Sequence, residues 1–162
     1  MTIRFYDTSG EYGAFSNFTM TPITIHDRTY PTVEHYFQAM KFRGVDEKYA
    51  HKISTAPRPQ EAAKLGRDRR YHPRRNWDTL RDEVMRMGVL AKFSQHDELQ
   101  KLLLSTGEET IIEEAERDPY WGTGPDGRGR NRLGQILMEV RDTLRHDELH
   151  EMYGRLERAI RK

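Results

Sequence analysis

Cysteine is absent from the 162 residues. That excludes a disulfide framework and any thiolate metal site, and it leaves covalent chemistry to another nucleophile. Nowhere does the chain approach the roughly eighteen consecutive apolar residues of a membrane span. The opening Met1-Thr2-Ile3-Arg4-Phe5-Tyr6 also lacks the apolar stretch of a signal peptide, so the expectation is a soluble, unexported, cytoplasmic protein with no membrane partner. An excess of charge is missing too. Arginine and lysine number 27 against 26 acidic residues, and so balanced a field does not draw the whole molecule onto a nucleic-acid backbone. The seven histidines show no zinc-type spacing, so no metal is expected. Gly-x-Ser-x-Gly, the Walker loop and the dinucleotide fingerprint are all absent, and no cofactor is implied.

What is present reads as one mainly helical α+β domain with a small sheet near the N-terminus. Ile3 and Phe5 alternate with polar neighbours, and Ile23 and Ile25 lead through His26-Asp27 into Arg28-Thr29-Tyr30, a pattern of short strands and a turn. Between them, Glu11 to Phe18 is an aromatic loop. Thr32 is a candidate N-cap for a helix from Val33 to Phe42 that Gly44 ends. Further helices are predicted from Asp46 to Ile53 and from Pro59 to Leu65, where proline suits a first helical position. Leu80, Val84, Met87 and Ala91 recur at helical spacing and predict a long amphipathic helix from about Trp77 to Phe93. Another helix is expected over Asp97 to Leu104, a short strand at Thr110 to Ile112, and a glycine-rich loop over Asp118 to Arg130. Helices at about Arg132 to Leu144 and Asp147 to Ile160 complete the chain. The expected division is a domain over 1–145 with 146–162 as a helical extension packed on it or continuing it.

Three segments carry candidate chemistry. Glu34, Gln38 and Lys41 fall on one stripe of the first helix, and a carboxylate, an amide and an amine so aligned suit protonation, sugar orientation and nucleophilic attack. Taken alone, the helix favours the plainer reading of an exposed Glu and Lys two turns apart. The segment Arg67-Asp68-Arg69-Arg70-Tyr71-His72-Pro73-Arg74-Arg75 holds five arginines, suited to phosphates or simply to a solvated loop. In the third segment, Gly122 and its neighbouring glycines permit close backbone approach, Asn131 can cap the next helix, and that helix start would favour a phosphate beside Arg128, Arg130 and Arg132. Trp77 and Trp121 each offer a stacking surface, or ordinary packing.

Six ordered blocks then stand out: Phe15-Ser16-Asn17-Phe18; Pro31-Thr32-Val33-Glu34-His35-Tyr36-Phe37-Gln38-Ala39-Met40-Lys41-Phe42; Asn76-Trp77; Ala91-Lys92-Phe93; Asp118-Pro119-Tyr120-Trp121-Gly122; and Asn131-Arg132-Leu133-Gly134-Gln135-Ile136-Leu137-Met138-Glu139. From Tyr12 almost to Arg145 the chain resembles the NADAR, or YbiA-like, family, and the resemblance reverses the plainer reading of the first helix. It implies hydrolysis of an N-glycosidic bond in a phosphorylated N-riboside, as in the ribosylamino-pyrimidine intermediates of riboflavin synthesis. The alternatives are removal of ADP-ribose from guanine, with nucleic acid as a modified substrate, and a non-catalytic module binding ADP-ribose or an NAD derivative. By resemblance the functional positions are Glu34, Lys41, Trp77, Asp118 and Trp121, with Asn17 and Asn131 as ligand contacts. Gly122 and Arg132 are added as substrate-binding candidates from the glycine-rich segment.

Overall fold

The computed structural model describes residues 1–161. Among them, four short strands and seven helices run in the order β1 (Thr2–Phe5), β2 (Ile23–Ile25), β3 (Arg28–Tyr30), α1 (Val33–Met40), α2 (Glu47–Ser54), α3 (Pro59–Gly66), α4 (Trp77–Gln95), α5 (Asp97–Ser105), β4 (Thr110–Glu113), α6 (Arg132–Arg145) and α7 (Leu149–Arg161). The α+β, mainly helical class expected from the sequence is the one observed. No helix among the described residues is long and apolar enough to cross a membrane.

Local chemistry explains most element boundaries. His26 and Asp27 both adopt positive φ, 50° and 63°, the twist that a two-residue antiparallel hairpin requires, and Ile23 pairs with Tyr30 across it. The Thr32 hydroxyl accepts the backbone N–H of His35 at 3.1 Å and starts α1. Asp46 does the same for α2 by accepting from Tyr49, and Pro59 occupies the first turn of α3. Each cap satisfies one of the donors that a helix start leaves unpaired.

The sheet is arranged differently from a single N-terminal unit. β2 and β3 pair only with each other, while β1 lies parallel to β4, with Thr2 opposite Thr110 and Phe5 opposite Glu113. A parallel partner has to arrive through a long crossover, and here the crossover contains the first five helices. Ile3, Phe5 and Ile111 point inward, and the ladder continues with Glu114 N–H donating to the Phe5 carbonyl at 2.8 Å.

Helix α1 lies at the centre, packed against α2 and α3 on one side and α4 on another. Residues Val33 to Ala39 are therefore all buried, three polar ones included. A polar group buried without a partner costs roughly 1–3 kcal/mol, so each must be accounted for. His35 is satisfied structurally: Nε2 donates to the Ala56 carbonyl and Nδ1 faces the Thr32 hydroxyl, both at 2.8 Å. Glu34 and Gln38 are left to each other. The aromatic loop docks on the same core, Phe15 packing edge-on against Phe5 and Phe93. Fully buried Lys92 holds it there by donating to the Ser16 carbonyl at 2.8 Å. Helix α7 returns along α4, burying Leu156 and joining Tyr153 to Ser94 through their hydroxyls at 2.7 Å.

Candidate active site

A small cavity of about 80 Å³ opens beside the polar stripe of α1. Five parts of the fold wall it: the aromatic loop with Asn17, α1 with Glu34, Phe37 and Gln38, Arg67 just after α3, Met85 of α4, and Glu113 with Asp118 and Trp121 from the end of β4 and the turn beyond it. Its volume matches a small group such as the reacting end of a sugar; pockets that enclose a whole drug-sized ligand run to several hundred Å³. A wider groove of about 830 Å³ lies near Arg4, Glu114 and the glycine-rich loop. There Arg4 and Glu114 are exposed and already paired at 2.9 Å, and such a solvated pair has little power to perturb chemistry. The small cavity is where ionisable groups are buried.

Glu34 is 6% exposed. Its backbone N–H donates to the Asn17 carbonyl at 3.2 Å, and its Oε1 accepts from Gln38 Nε2 at 2.8 Å. Burial raises its carboxyl above the usual range, while the Gln38 hydrogen bond and the charges of Arg67 and Lys41 oppose that rise. Gln38, itself 3% exposed, keeps its Oε1 without a partner. That oxygen rests over Gly66, where an added Cβ would stand only 2.0 Å from it, so α3 must present glycine to α1 here.

Lys41 follows α1 directly. Its Nζ donates to the Gly66 carbonyl at 3.2 Å and lies 5.9 Å from the Phe37 ring centroid. Burial lowers its amine to about 8; Glu34 acts in the opposite direction, and Arg67 reinforces the lowering. Desolvation outweighs the Glu34 charge, so the amine holds its proton less tightly than a free lysine does. The amine stands beside the cavity rather than in its wall.

Asp118 and Trp121 form one unit. Asp118 Oδ1 accepts the N–H groups of Tyr120 and Trp121 at 3.0 and 2.9 Å, an Asx turn that sets the indole. Trp121 then meets Phe37 edge-on at 5.5 Å. Gly122 lies next to this turn, where a Cβ would stand 2.6 Å from that of Ala115 and 2.9 Å from the Glu113 carbonyl. Its role is close backbone packing against the end of β4.

Other candidates lie elsewhere. Trp77 is buried and packs on Phe37 at 5.0 Å; it is not a cavity wall, so Trp121 is the indole that faces the site. Asn131 occupies the N-cap position of α6 in the left-handed conformation, φ 50°, but its side chain makes no capping bond. The amide is instead a strut to β4, Nδ2 donating to the Ile111 carbonyl and Oδ1 accepting the Glu113 N–H, both at 2.9 Å. The phosphate site expected at the start of α6 is also corrected. The N–H groups of Asn131, Arg132 and Leu133 already donate to the carbonyls of Gly122, Tyr120 and Trp121. Arg132 is bound to Asp82, with Nη2 at 2.8 Å from Oδ2.

The arginine-rich segment divides in the same way. Arg70 pairs with Asp68, and Arg74 reaches Asn76 and the Ile160 carbonyl. Arg67 touches the cavity and makes no side-chain hydrogen bond or ion pair among the described residues. Glu113 is not among the residues singled out from the sequence. Strand alternation is the signal that could have found it, since it places Glu113 on the same face as buried Ile111. Burial, followed by the charges of Asp118 and Glu34, pushes its carboxyl up to about 8.

Comparison with known proteins identifies the family. Residues 4–145 match the model of the NADAR domain. The chain is 50% identical over 142 residues to N-glycosidase YbiA of Escherichia coli, covering 88% of each. It superposes on the NMR structure of that protein with a TM-score of 0.83, covering 92% of this chain and 89% of the other. An N-glycosidase of Nostoc punctiforme is 44% identical over 147 residues, 90% of this chain and 94% of its own. A riboflavin biosynthesis protein of Vibrio vulnificus is 39% identical over 88% of this chain, which spans only 38% of that longer protein. With a family match over most of its length and half of the aligned residues identical to those of a named enzyme, the chain belongs to the NADAR domain family, as one of its N-glycosidases.

Proposed function

We propose that the bond cleaved is the one between a ribose anomeric carbon and an exocyclic amine in a phosphorylated N-riboside, and that the substrate is a ribosylamino-pyrimidine intermediate of the riboflavin pathway in the cytoplasm. The observation that carries the reading is a hydrogen-bonded, buried carboxyl, Glu34, and an amine whose affinity for its proton burial lowers, Lys41, beside a cavity that takes the reacting end of a sugar. The name of the Vibrio relative supports the substrate. A non-catalytic module for ADP-ribose has no use for such groups, which are costly to bury.

Position supports the following roles. Trp121 stacks on the base, Arg67 takes the phosphate with its free guanidinium, and Asn17 and Asp118 hold sugar hydroxyls. An N-riboside at an exocyclic amine is an aminal, so its ring can open to an imine at the former anomeric carbon. Neutral Lys41 attacks that carbon, the amine departs, and a Schiff base remains for water to hydrolyse with Glu34 as base. Incubation with the ribosylamino-pyrimidine 5-phosphate and, separately, with an oligonucleotide bearing ADP-ribosylated guanine tests the assignment. Release of ribose 5-phosphate from the first is expected. Release of ADP-ribose from the second alone would transfer the activity to ADP-ribosyl-guanine.

A further inference from the structure

Two carboxyls share this cavity in different surroundings, Glu34 buried and Glu113 part-buried. Glu34 accepts a hydrogen bond from Gln38 and has Lys41 and Arg67 within electrostatic reach. Glu113 has neither kind of support. Its Oε2 is buried without a partner, and the charged groups acting on it are the carboxylates of Asp118, on the following turn, and Glu34, on α1. Arg67 lies on the same cavity, but its charge acts on Glu34 and Lys41. The neighbouring cation on β1, Arg4, is paired with Glu114. The backbone around Glu113 is fixed, its N–H donating to Asn131 Oδ1 and its carbonyl accepting from Thr123, which sets the root of the side chain at the cavity wall.

An acceptor-only carboxylate placed among anions is poorly situated, whereas a carboxylic acid is neutral and has a proton to give. Burial raises both acids, but Glu34 alone has a hydrogen-bond donor and two cations to offset the rise, and acids held in different surroundings can take different catalytic roles. We propose that Glu113 is the catalytic acid of the site: it meets the substrate protonated and delivers that proton to the departing exocyclic nitrogen, while Glu34 is the base. This rests on the N-riboside reading above. As the bond between the anomeric carbon and nitrogen breaks, its electron pair stays on nitrogen, which takes the Glu113 proton and leaves as the free amine. Water supplies hydroxide to the anomeric carbon, and its remaining proton, taken first by Glu34, returns to Glu113. The balance is N-riboside plus water to amine plus ribose 5-phosphate, whether or not Lys41 holds the sugar in between. A neutral Glu113 also explains how three acids can line one small volume.

Leaving-group dependence and protonation state test this. Glu113→Gln keeps the shape of the neutral acid and has no proton to transfer, so turnover of the ribosylamino-pyrimidine 5-phosphate should fall about 10²–10⁴-fold, the usual range for a lost general acid. Nicotinamide riboside 5-phosphate, an N-riboside whose leaving group departs as a neutral pyridine without taking up a proton, should be cleaved nearly as well by Glu113→Gln as by wild type, while Glu34→Gln should be impaired on both. In wild type kcat/KM should decline above about pH 8, where Glu113 loses its proton, and Glu113→Gln should lack that decline. Infrared difference spectra of the unliganded protein give a readout free of activity: a carboxylic-acid carbonyl band present at pH 7, titrating near pH 8 and missing from Glu113→Gln. Equal loss on both substrates, or no such band, overturns the assignment even if wild type is active. Wild type inactive on both N-ribosides overturns the substrate reading and this role with it. The wild-type pH profile and spectrum keep the test decisive should Glu113→Gln fold poorly.

Discussion

Lys41 offers the sharpest test of the chemistry, because its usefulness depends on a number set by the fold. An ordinary lysine holds its proton to about pH 10.4, and burial brings this one to about 8. The neutral, nucleophilic fraction at pH 7 therefore rises about 200-fold, to roughly a tenth of the molecules. Below about pH 7, kcat/KM should climb nearly tenfold per pH unit and bend near pH 8. The neighbours fix the sign of further shifts. Glu34 raises the Lys41 value and Arg67 lowers it, so Arg67→Ala should move the bend to higher pH and slow the reaction at pH 7. Lys41→Arg preserves positive charge but supplies no neutral amine, since guanidinium stays protonated; turnover should drop by about three orders of magnitude or more. Borohydride added during turnover should reduce the Schiff base and leave a sugar-derived mass on the peptide that contains Lys41. If Lys41→Arg stays within tenfold of wild type and wild type yields no adduct, Lys41 acts only through its charge, and water attacks the anomeric carbon directly.

Three further outcomes follow from particular contacts. Gly66→Ala places a methyl against Gln38 Oε1 and within 2.8 Å of its Cβ; moving the amide off Glu34 should lower kcat about tenfold or more and stability by about 1–3 kcal/mol, and unchanged kinetics would show that the Gln38 bond is dispensable. Asn131→Ala removes two hydrogen bonds to β4 and leaves alanine at φ 50°, so urea denaturation should show a loss of about 2–4 kcal/mol; a loss below about 1 kcal/mol refutes the strut. Lys92, fully buried, has its amine lowered by burial to about 7. Between that pH and the unfolded value the unfolded chain holds a proton that the folded chain lacks, so stability should rise with pH. Measured against Lys92→Met, the wild-type advantage should grow by up to about 1.4 kcal/mol per pH unit from about pH 7 towards 10, and a flat difference would contradict it.

Local chemistry made the helices legible. Thr32, Asp46 and Pro59 sit where caps and first turns want them, and the apolar spacing through Leu80, Val84, Met87 and Ala91 marks the buried face of α4. These signals act over a turn or two of chain, and sequence order carries them intact. The stripe of Glu34, Gln38 and Lys41 was visible for the same reason, although nothing local distinguishes a catalytic stripe from a solvated one. The order of blocks shared with the NADAR family supplied that distinction.

Distance along the chain hid the rest. Two-residue alternation in β1 announces a strand but does not say which partner it takes, and the parallel pairing is with β4, held against α6 beyond five intervening helices. That pairing brings Glu113 to the cavity; without it the residue is one acid of a doublet. Trp77 and Trp121 have the same chemistry on paper, and packing around Phe37 buries the first and sets the second on the wall. Asn131 looks like a cap in sequence, yet the carbonyls of the preceding turn already occupy the helix start, freeing its amide for β4. The amino-acid sequence alone therefore determined the helices, the family and the types of reactive group. Only the tertiary structure decided which groups meet and in what state of charge, because burial and the field of distant neighbours set a proton's affinity and neither belongs to any single stretch of chain.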